Sequence, residues 1–73
     1  MKQFTFRLSL CRDEIMLMYQ GHVRRLRVRS DQGLILELGL DKLRPFVALN
    51  GVHGDFRLKT QDDYRFIALE RIK

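Results

Sequence analysis

The feature that most constrains the fold of this chain is the alternation of apolar residues and arginines within residues 22–40. In the middle of this stretch, Asp31, Gln32 and Gly33 have the composition of a three-residue hairpin loop in which the glycine takes a positive φ angle. Since successive side chains of a strand point to opposite faces, a single register keeps the apolar side chains together, and a slip of one residue would bury guanidinium groups. The predicted pairs are Ser30–Leu34, Arg29–Ile35, Val28–Leu36, Arg27–Glu37 and Leu26–Leu38.

The same register predicts a row of cations on the outer face of the hairpin, of which only Arg27 lies opposite an acid, Glu37. A guanidinium group binds phosphates and carboxylates in a bidentate manner, so such a row is suited to anions. Two outward cations of a later strand would join the row if the sheet curls. The candidate anion or nucleic-acid contacts are therefore Arg25, Arg27, Arg29, Arg57 and Lys59.

Residues 3–10 alternate with the period of a strand that is buried on one face. Its apolar side chains are Phe4, Phe6, Leu8 and Leu10. Cys11 follows at a helix N-cap position, with Glu14 three residues later. The helix has an apolar stripe of Ile15, Met18 and Tyr19, and Gly21 is expected to end it in a left-handed conformation.

The second half of the chain reads as turns and strands. Residues 41–45 predict a capped single turn in which Asp41 is the cap and Pro45 excludes Arg44 from helical geometry. Residues 46–49 and 52 onward predict a hairpin joined by Asn50 and Gly51, with a bulge or sharp bend at Gly54. After a turn at residues 61–63, residues 64–72 carry apolar side chains on both faces, which is typical of a central strand or of one wrapped into a barrel.

These elements predict an α+β fold that is mainly antiparallel β. The sheet is expected to be small, barrel-like or strongly curved, with five to six strands and one helix between strands 1 and 2. A chain of 73 residues predicts a single domain, residues 1–73, with a small core.

The composition of the chain limits the cellular compartment in which we expect it and the kinds of metal or cofactor site that it can form. Cys11 is the only cysteine, so no internal disulfide forms, and no apolar stretch is long enough for a signal peptide or a membrane span. A cytoplasmic location is expected, without membrane contact. One cysteine and two distant histidines offer no metal-site spacing, no phosphate-binding glycine loop precedes a helix, and no cofactor is expected.

Apolar residues outside the predicted core stripes indicate a contact with another protein or with a second copy of the chain. The candidates are Met16, Leu17, Val23 and Ile35.

Several strings resemble a family of similarly short bacterial proteins, mainly from gammaproteobacteria, that is catalogued as a domain of unknown function. The strings are Phe4-x-Phe6-x-Leu8, Tyr19-Gln20-Gly21, the hairpin with Ser30 and Gly33, residues 43–47, Gly51-x-x-Gly54-x-Phe56-Arg57-Leu58 and residues 69–72. The resemblance runs from end to end and implies no activity. Cys11 is a departure from this resemblance, since the family is more similar to serine at that position.

No set of titratable residues can be given catalytic roles, so the chain is predicted not to be an enzyme. The main hypothesis is a small binding domain that acts through contact with an unidentified protein or through self-association. The alternative is a basic module that binds RNA or single-stranded DNA through the arginine-rich hairpin, given the formal charge of +5. A further alternative is cyclic-dinucleotide binding, because Arg25-x-x-x-Arg29 resembles the arginine pair of PilZ domains, although the Asp/Asn-x-Ser-x-x-Gly string of that family is missing.

Overall fold

The computed structural model describes residues 1–21 and 23–73 and contains five strands in two antiparallel sheets. The elements are β1 (Lys2–Leu10), α1 (Arg12–Gln20), β2 (Arg25–Arg29), β3 (Ile35–Gly39), a 3-10 helix (Leu40–Phe46), β4 (Val52–Thr60) and β5 (Phe66–Arg71). One sheet has the order β1-β4-β5 and the other consists of β2 and β3. The prediction of a mainly antiparallel fold with one α-helix between the first two strands is confirmed.

The hairpin of β2 and β3 has the predicted register. Val28 lies opposite Leu36 and Arg27 opposite Glu37. The Ser30 amide donates to the Leu34 carbonyl at 2.8 Å, and Gly33 has a φ of 84°. The alternation of leucine and arginine therefore determines which face of the hairpin is buried.

The core lies between the two sheets. Phe6 of β1 stacks on Phe56 of β4 with ring centroids 5.8 Å apart, and both rings are almost fully buried. The hairpin contributes Leu36 and Leu38 to the same cluster. The largest fully buried side chains are Phe6, Ile15, Leu43, Val52 and Phe56, so α1 and the 3-10 helix each add one side chain to this group. Burial of each such side chain contributes about 1.5 to 3 kcal/mol to stability.

Among the described residues, backbone hydrogen bonds join the two sheets on one side, and the expected barrel-like sheet is wrong because neither sheet closes. The tip of the hairpin meets the free edge of β1, where the Asp31 amide donates to the Thr5 carbonyl at 2.7 Å. On the opposite side, within residues 1–21 and 23–73, β3 pairs with β2 alone and β5 pairs with β4 alone. The last strand is therefore an edge strand, and the prediction of a central or wrapped strand is wrong.

Three local predictions are also corrected. Gly21 has a φ of −82°, because its amide completes an ordinary helical hydrogen bond to Leu17 at 2.8 Å and requires no left-handed residue. The predicted turn at residues 41–45 is a 3-10 helix that begins after Gly39 rather than Asp41. It continues through Pro45, whose fixed φ is compatible with 3-10 geometry.

Residues 46–49 do not form a strand. A single bridge between Ala48 and Gly51 is present instead, with Leu49 and Asn50 at the centre of the turn. Gly51 has a φ of 105°, and a Cβ atom there would lie 2.1 Å from the Leu10 carbonyl oxygen, so this glycine allows β1 and the turn to approach each other. Gly54 causes no break in the pairing of β1 with β4, and the pairing of β4 with β5 shifts its register between Lys59 and Thr60.

Candidate binding groove

The open side of the molecule contains a groove along β3, which we call the open-edge groove. It consists of a cavity of about 330 Å³ and an adjoining one of about 70 Å³. The residues that line both are Glu37, Leu58, Thr60 and Tyr64. Consecutive residues 34–37 line the larger cavity, so the backbone edge of β3 borders it rather than one face of the strand. The inner face of β4 forms the floor.

The hydrogen-bond pattern of the hairpin shows which backbone groups point toward the groove. The Ser30 amide donates to the Leu34 carbonyl, and the Leu40 amide donates to the Arg24 carbonyl at 2.9 Å. In an antiparallel pair these bonds connect every second residue pair, so the intervening Val28–Leu36 and Leu26–Leu38 pairs are also bonded. The amides and carbonyls of Ile35 and Glu37 therefore point away from β2, toward the groove. Within the described residues they form no backbone hydrogen bond outside the strand ladder.

An aromatic wall faces this edge. Tyr64 and Phe66 remain 53% and 40% exposed. Tyr64 stacks on Phe4 with ring centroids 6.1 Å apart and has a φ of 70°, which is a strained value for a bulky residue. Phe66 lies on β5, which ends the three-stranded sheet.

Two lysines flank the aromatic wall. The Lys2 Nζ lies 4.6 Å from the centre of the Tyr64 ring, and the Lys42 Nζ lies 4.5 Å from that of Phe66. Sequence reasoning missed Tyr64, Phe66 and Lys42 as groove residues, and it missed Lys2 beside the Tyr64 ring. The available signal was the presence of apolar side chains on both faces of the last strand, which it interpreted as burial.

The arginine row of β2 lies on the outer face of the hairpin, next to the groove. Arg25, Arg27 and Arg29 are all exposed. Glu37 forms its ion pair with Arg25 at 3.7 Å rather than with Arg27, which lies directly opposite. In the part of the chain that the structure describes, Arg27 and Arg29 have no carboxylate within ion-pair distance. The PilZ-like pair, Arg25 and Arg29, lies inside β2 rather than ahead of a strand.

Arg57 and Lys59 do not join this row. They alternate with the buried Phe56 and Leu58 and so face outward from the other sheet, beyond the core. Both contact Glu70, Lys59 at 2.7 Å and Arg57 at 3.8 Å. The hydrogen bond from Lys59 lowers the pKa of the Glu70 carboxyl group, with a further contribution from the charge of Arg57.

The four apolar candidates also separate. Ile35 is 57% exposed and borders the open-edge groove. The other three candidates are exposed elsewhere: Met16 and Leu17 lie on α1, and Val23 lies shortly before β2. Met16 borders a cavity with Tyr19 and Val47, and Val23 borders a polar one of about 540 Å³ that includes Arg24 and Arg44. Of the four candidates, Ile35 is the one that lies on a β-strand in the part of the chain that the structure describes.

Two further observations concern the described residues. They contain no group of three or more histidine, cysteine, aspartate or glutamate side chains that could hold a metal ion. None of their helices has the length and apolar character needed to cross a membrane.

A family model whose description reads "Protein of unknown function (DUF2835)" matches residues 2–72. The resemblance of the sequence to a domain of unknown function is thereby confirmed. Neither the curated proteins nor the solved structures contain a match to the chain.

Proposed function

The chain belongs to the DUF2835 family of proteins of unknown function, and from its surfaces we propose a small non-enzymatic binding module. The module takes up an extended segment of a partner protein along the open-edge groove. The observation that carries this proposal is the coincidence of unpaired β3 backbone with an apolar floor and an aromatic wall.

Strand addition explains why these three features occur together. An extended peptide that pairs with a sheet edge gains affinity from backbone hydrogen bonds, and pockets for alternate side chains provide specificity. Ile35 and Glu37 supply the backbone groups, and the cavity over Leu58 accepts the inward side chain. An exposed edge without this use would be a site of aggregation.

Charge favours a different protein over a second copy of the chain. Two copies, each with a formal charge of +5, repel each other, whereas an acidic surface is attracted to the arginine row. Arg27 and Arg29 lie one strand away from the groove edge, on the hairpin that forms it. We therefore propose a partner that is acidic around its extended segment.

Nucleic acid is the alternative ligand, and the unpaired Arg27 and Arg29 are the observation in its favour. Proteins that bind single strands combine such cations with aromatic rings on which bases stack. The outer face of the hairpin has Ile35 and Glu37 beside its arginines and no aromatic side chain. The exposed rings, Tyr64 and Phe66, border the groove instead.

We also propose a cytoplasmic location for the module. An exposed, unpaired thiol at Cys11 supports this, since free surface cysteines suit a reducing compartment.

The test is a titration of the whole chain, labelled with ¹⁵N, with a synthetic peptide of about eight residues, which covers a typical strand and its flanks. In this peptide valine alternates with threonine and glutamate. A peptide of the same composition without alternation is the control. We expect amide shifts at residues 34–39, 58, 60 and 64 with the first peptide only.

An Ile35→Pro variant removes an edge amide without removing a bond to β2, so it should fold and lose peptide binding. Equal binding of both peptides, or binding that is unaffected by Ile35→Pro, would contradict the proposal. If the free chain sediments as a dimer, the proposed partner is wrong and a second copy of the chain occupies the groove. Shifts confined to β2 on addition of RNA or single-stranded DNA, with no response to peptide, would favour nucleic acid.

A further inference from the structure

We infer that the module selects its partner by a short charge pattern, and that Arg29 reads it. This inference rests on the proposed function, because it concerns the segment that lies along β3. The pattern is a basic or uncharged polar residue, then an apolar residue, then an acid, in a strand that runs antiparallel to β3.

The geometry of β3 determines where each side chain of an added strand points. Residues that face each other across two strands share one face of the sheet. The partner residues opposite Ile35 and Glu37 therefore point to the outer face, where the arginine row lies. The residue between them, opposite the buried Leu36, points into the cavity of about 330 Å³ over Leu58 and beside Tyr64. That position takes an apolar side chain.

The two outward positions differ in charge. A partner residue opposite Ile35 has the uncharged Ile35 side chain as its neighbour on the outer face, and Arg29 lies on the far side of Ile35. Among the described residues, Arg29 has no carboxylate within ion-pair distance. Strands lie about 4.8 Å apart, so an acid here is about 10 Å from the β2 backbone. An extended arginine and a glutamate together bridge this separation. This position therefore selects an acid.

The position opposite Glu37 has the reverse preference. Its nearest neighbour on the outer face is the Glu37 carboxylate, which is held by Arg25 at 3.7 Å. Like charges directly opposite each other in a sheet are unfavourable. A second acid would compete for Arg25, whereas a lysine or a threonine is accepted.

The direction of the added strand orders the pattern. All the strand pairs in the structure are antiparallel, and antiparallel ladders are slightly more stable per residue. In this direction the partner residue opposite Glu37 comes first and the one opposite Ile35 comes last. The preferred sequence is thus Lys or Thr, then an apolar residue, then Glu or Asp.

The test uses two peptides of identical composition, one with the central order Lys-Ile-Glu and the other with Glu-Ile-Lys, within the same alternating flanks. We expect the first to bind about three- to fivefold more tightly at low salt, the range of an exposed ion pair. The difference should disappear in about 1 M salt, where the screening length is about 3 Å.

An Arg29→Glu variant should remove the preference between the two peptides, because a glutamate at position 29 repels an acid opposite Ile35 while Glu37 still disfavours an acid at the other position. Arg12→Glu, which makes the same change of charge on the exposed first turn of α1, is the matched control and should leave the preference unchanged. If both peptides bind wild-type protein equally, or if Arg29→Glu weakens both alike, the proposed charge pattern is wrong. The proposed binding of an extended segment in the groove would still stand. If no alternating peptide binds, both the pattern and the proposed function are wrong.

Discussion

Thr5 and Asp31 connect the two sheets through a pair of hydrogen bonds, one between backbone groups and one between side chains. The Asp31 amide donates to the Thr5 carbonyl, and the Thr5 hydroxyl donates to the Asp31 carboxylate, both at 2.7 Å. The Gln32 side-chain oxygen accepts the Thr5 amide at 3.2 Å. The tip of the hairpin thus occupies the place of a strand beside β1. On the opposite side of the molecule, no such hydrogen bonds join β3 to β5 among the described residues, and the open-edge groove lies there.

Removal of the side-chain bond should loosen the hairpin. Asp31→Ala deletes the carboxylate but keeps the backbone bond, and we expect a loss of about 1 kcal/mol in the free energy of unfolding. Urea unfolding followed by circular dichroism measures it. In a double-mutant cycle with Thr5→Val, the two changes should couple by at least about 0.5 kcal/mol. Strict additivity would show that the bond contributes nothing.

Gly51 should tolerate no side chain. In Gly51→Ala a Cβ atom would meet backbone of residues 10–12 at 2.1 to 2.8 Å, in addition to the strain of a positive φ. We expect a loss of about 3 kcal/mol or more. Gly33→Ala is the matched control, since Gly33 also has a positive φ but nothing lies within 4 Å of the added atom. Its loss should be about 1 kcal/mol. Equal losses in the two variants would exclude the close approach as the cause.

The hairpin of β2 and β3 was predictable because its information is local. Alternation, the Gly33 loop and the cost of burying arginine together leave one register, which the structure has. The same holds for β1 and for the start of α1. Each of these patterns lies within one element or one turn.

The groove was not predictable because it depends on which strands become neighbours. Apolar residues on both faces of residues 64–72 are typical of a covered strand, yet β5 ends the sheet and leaves Phe66 and Ile67 exposed. Period-2 alternation predicts which face of a strand each side chain points to, but it does not predict which strands lie beside that strand. The separation of Arg57 and Lys59 from Arg29 has the same origin.

Acid should destabilise the protein in part through Glu70. The Lys59 hydrogen bond lowers the folded-state pKa of this carboxyl below its ordinary value of 4.5. The unfolded chain therefore binds more protons at Glu70 as the pH falls, so the contribution is complete above about pH 4.5 and is lost as the pH drops through the folded pKa. Glu70→Gln should flatten the dependence of the urea midpoint on pH in this acid range. Lys59→Met should flatten it too, and superposable curves for all three proteins would refute the assignment.

Tyr64 offers a way to separate binding from stability. Its positive φ is unfavourable for a bulky residue and well tolerated by asparagine, so Tyr64→Asn relieves backbone strain while it removes the ring that stacks on Phe4. These effects oppose each other, and we expect the free energy of unfolding to change by less than about 1 kcal/mol. The same substitution removes the Tyr64 ring from the aromatic wall and from the larger cavity of the groove, so binding of the alternating peptide should fall at least tenfold, or about 1.4 kcal/mol. Tyr64→Phe keeps the wall and loses only the hydroxyl that accepts from Lys2 at 3.3 Å, and it should bind like the wild type. If Tyr64→Asn binds the peptide normally, the strained residue serves the turn between β4 and β5 alone and the ligand lies elsewhere.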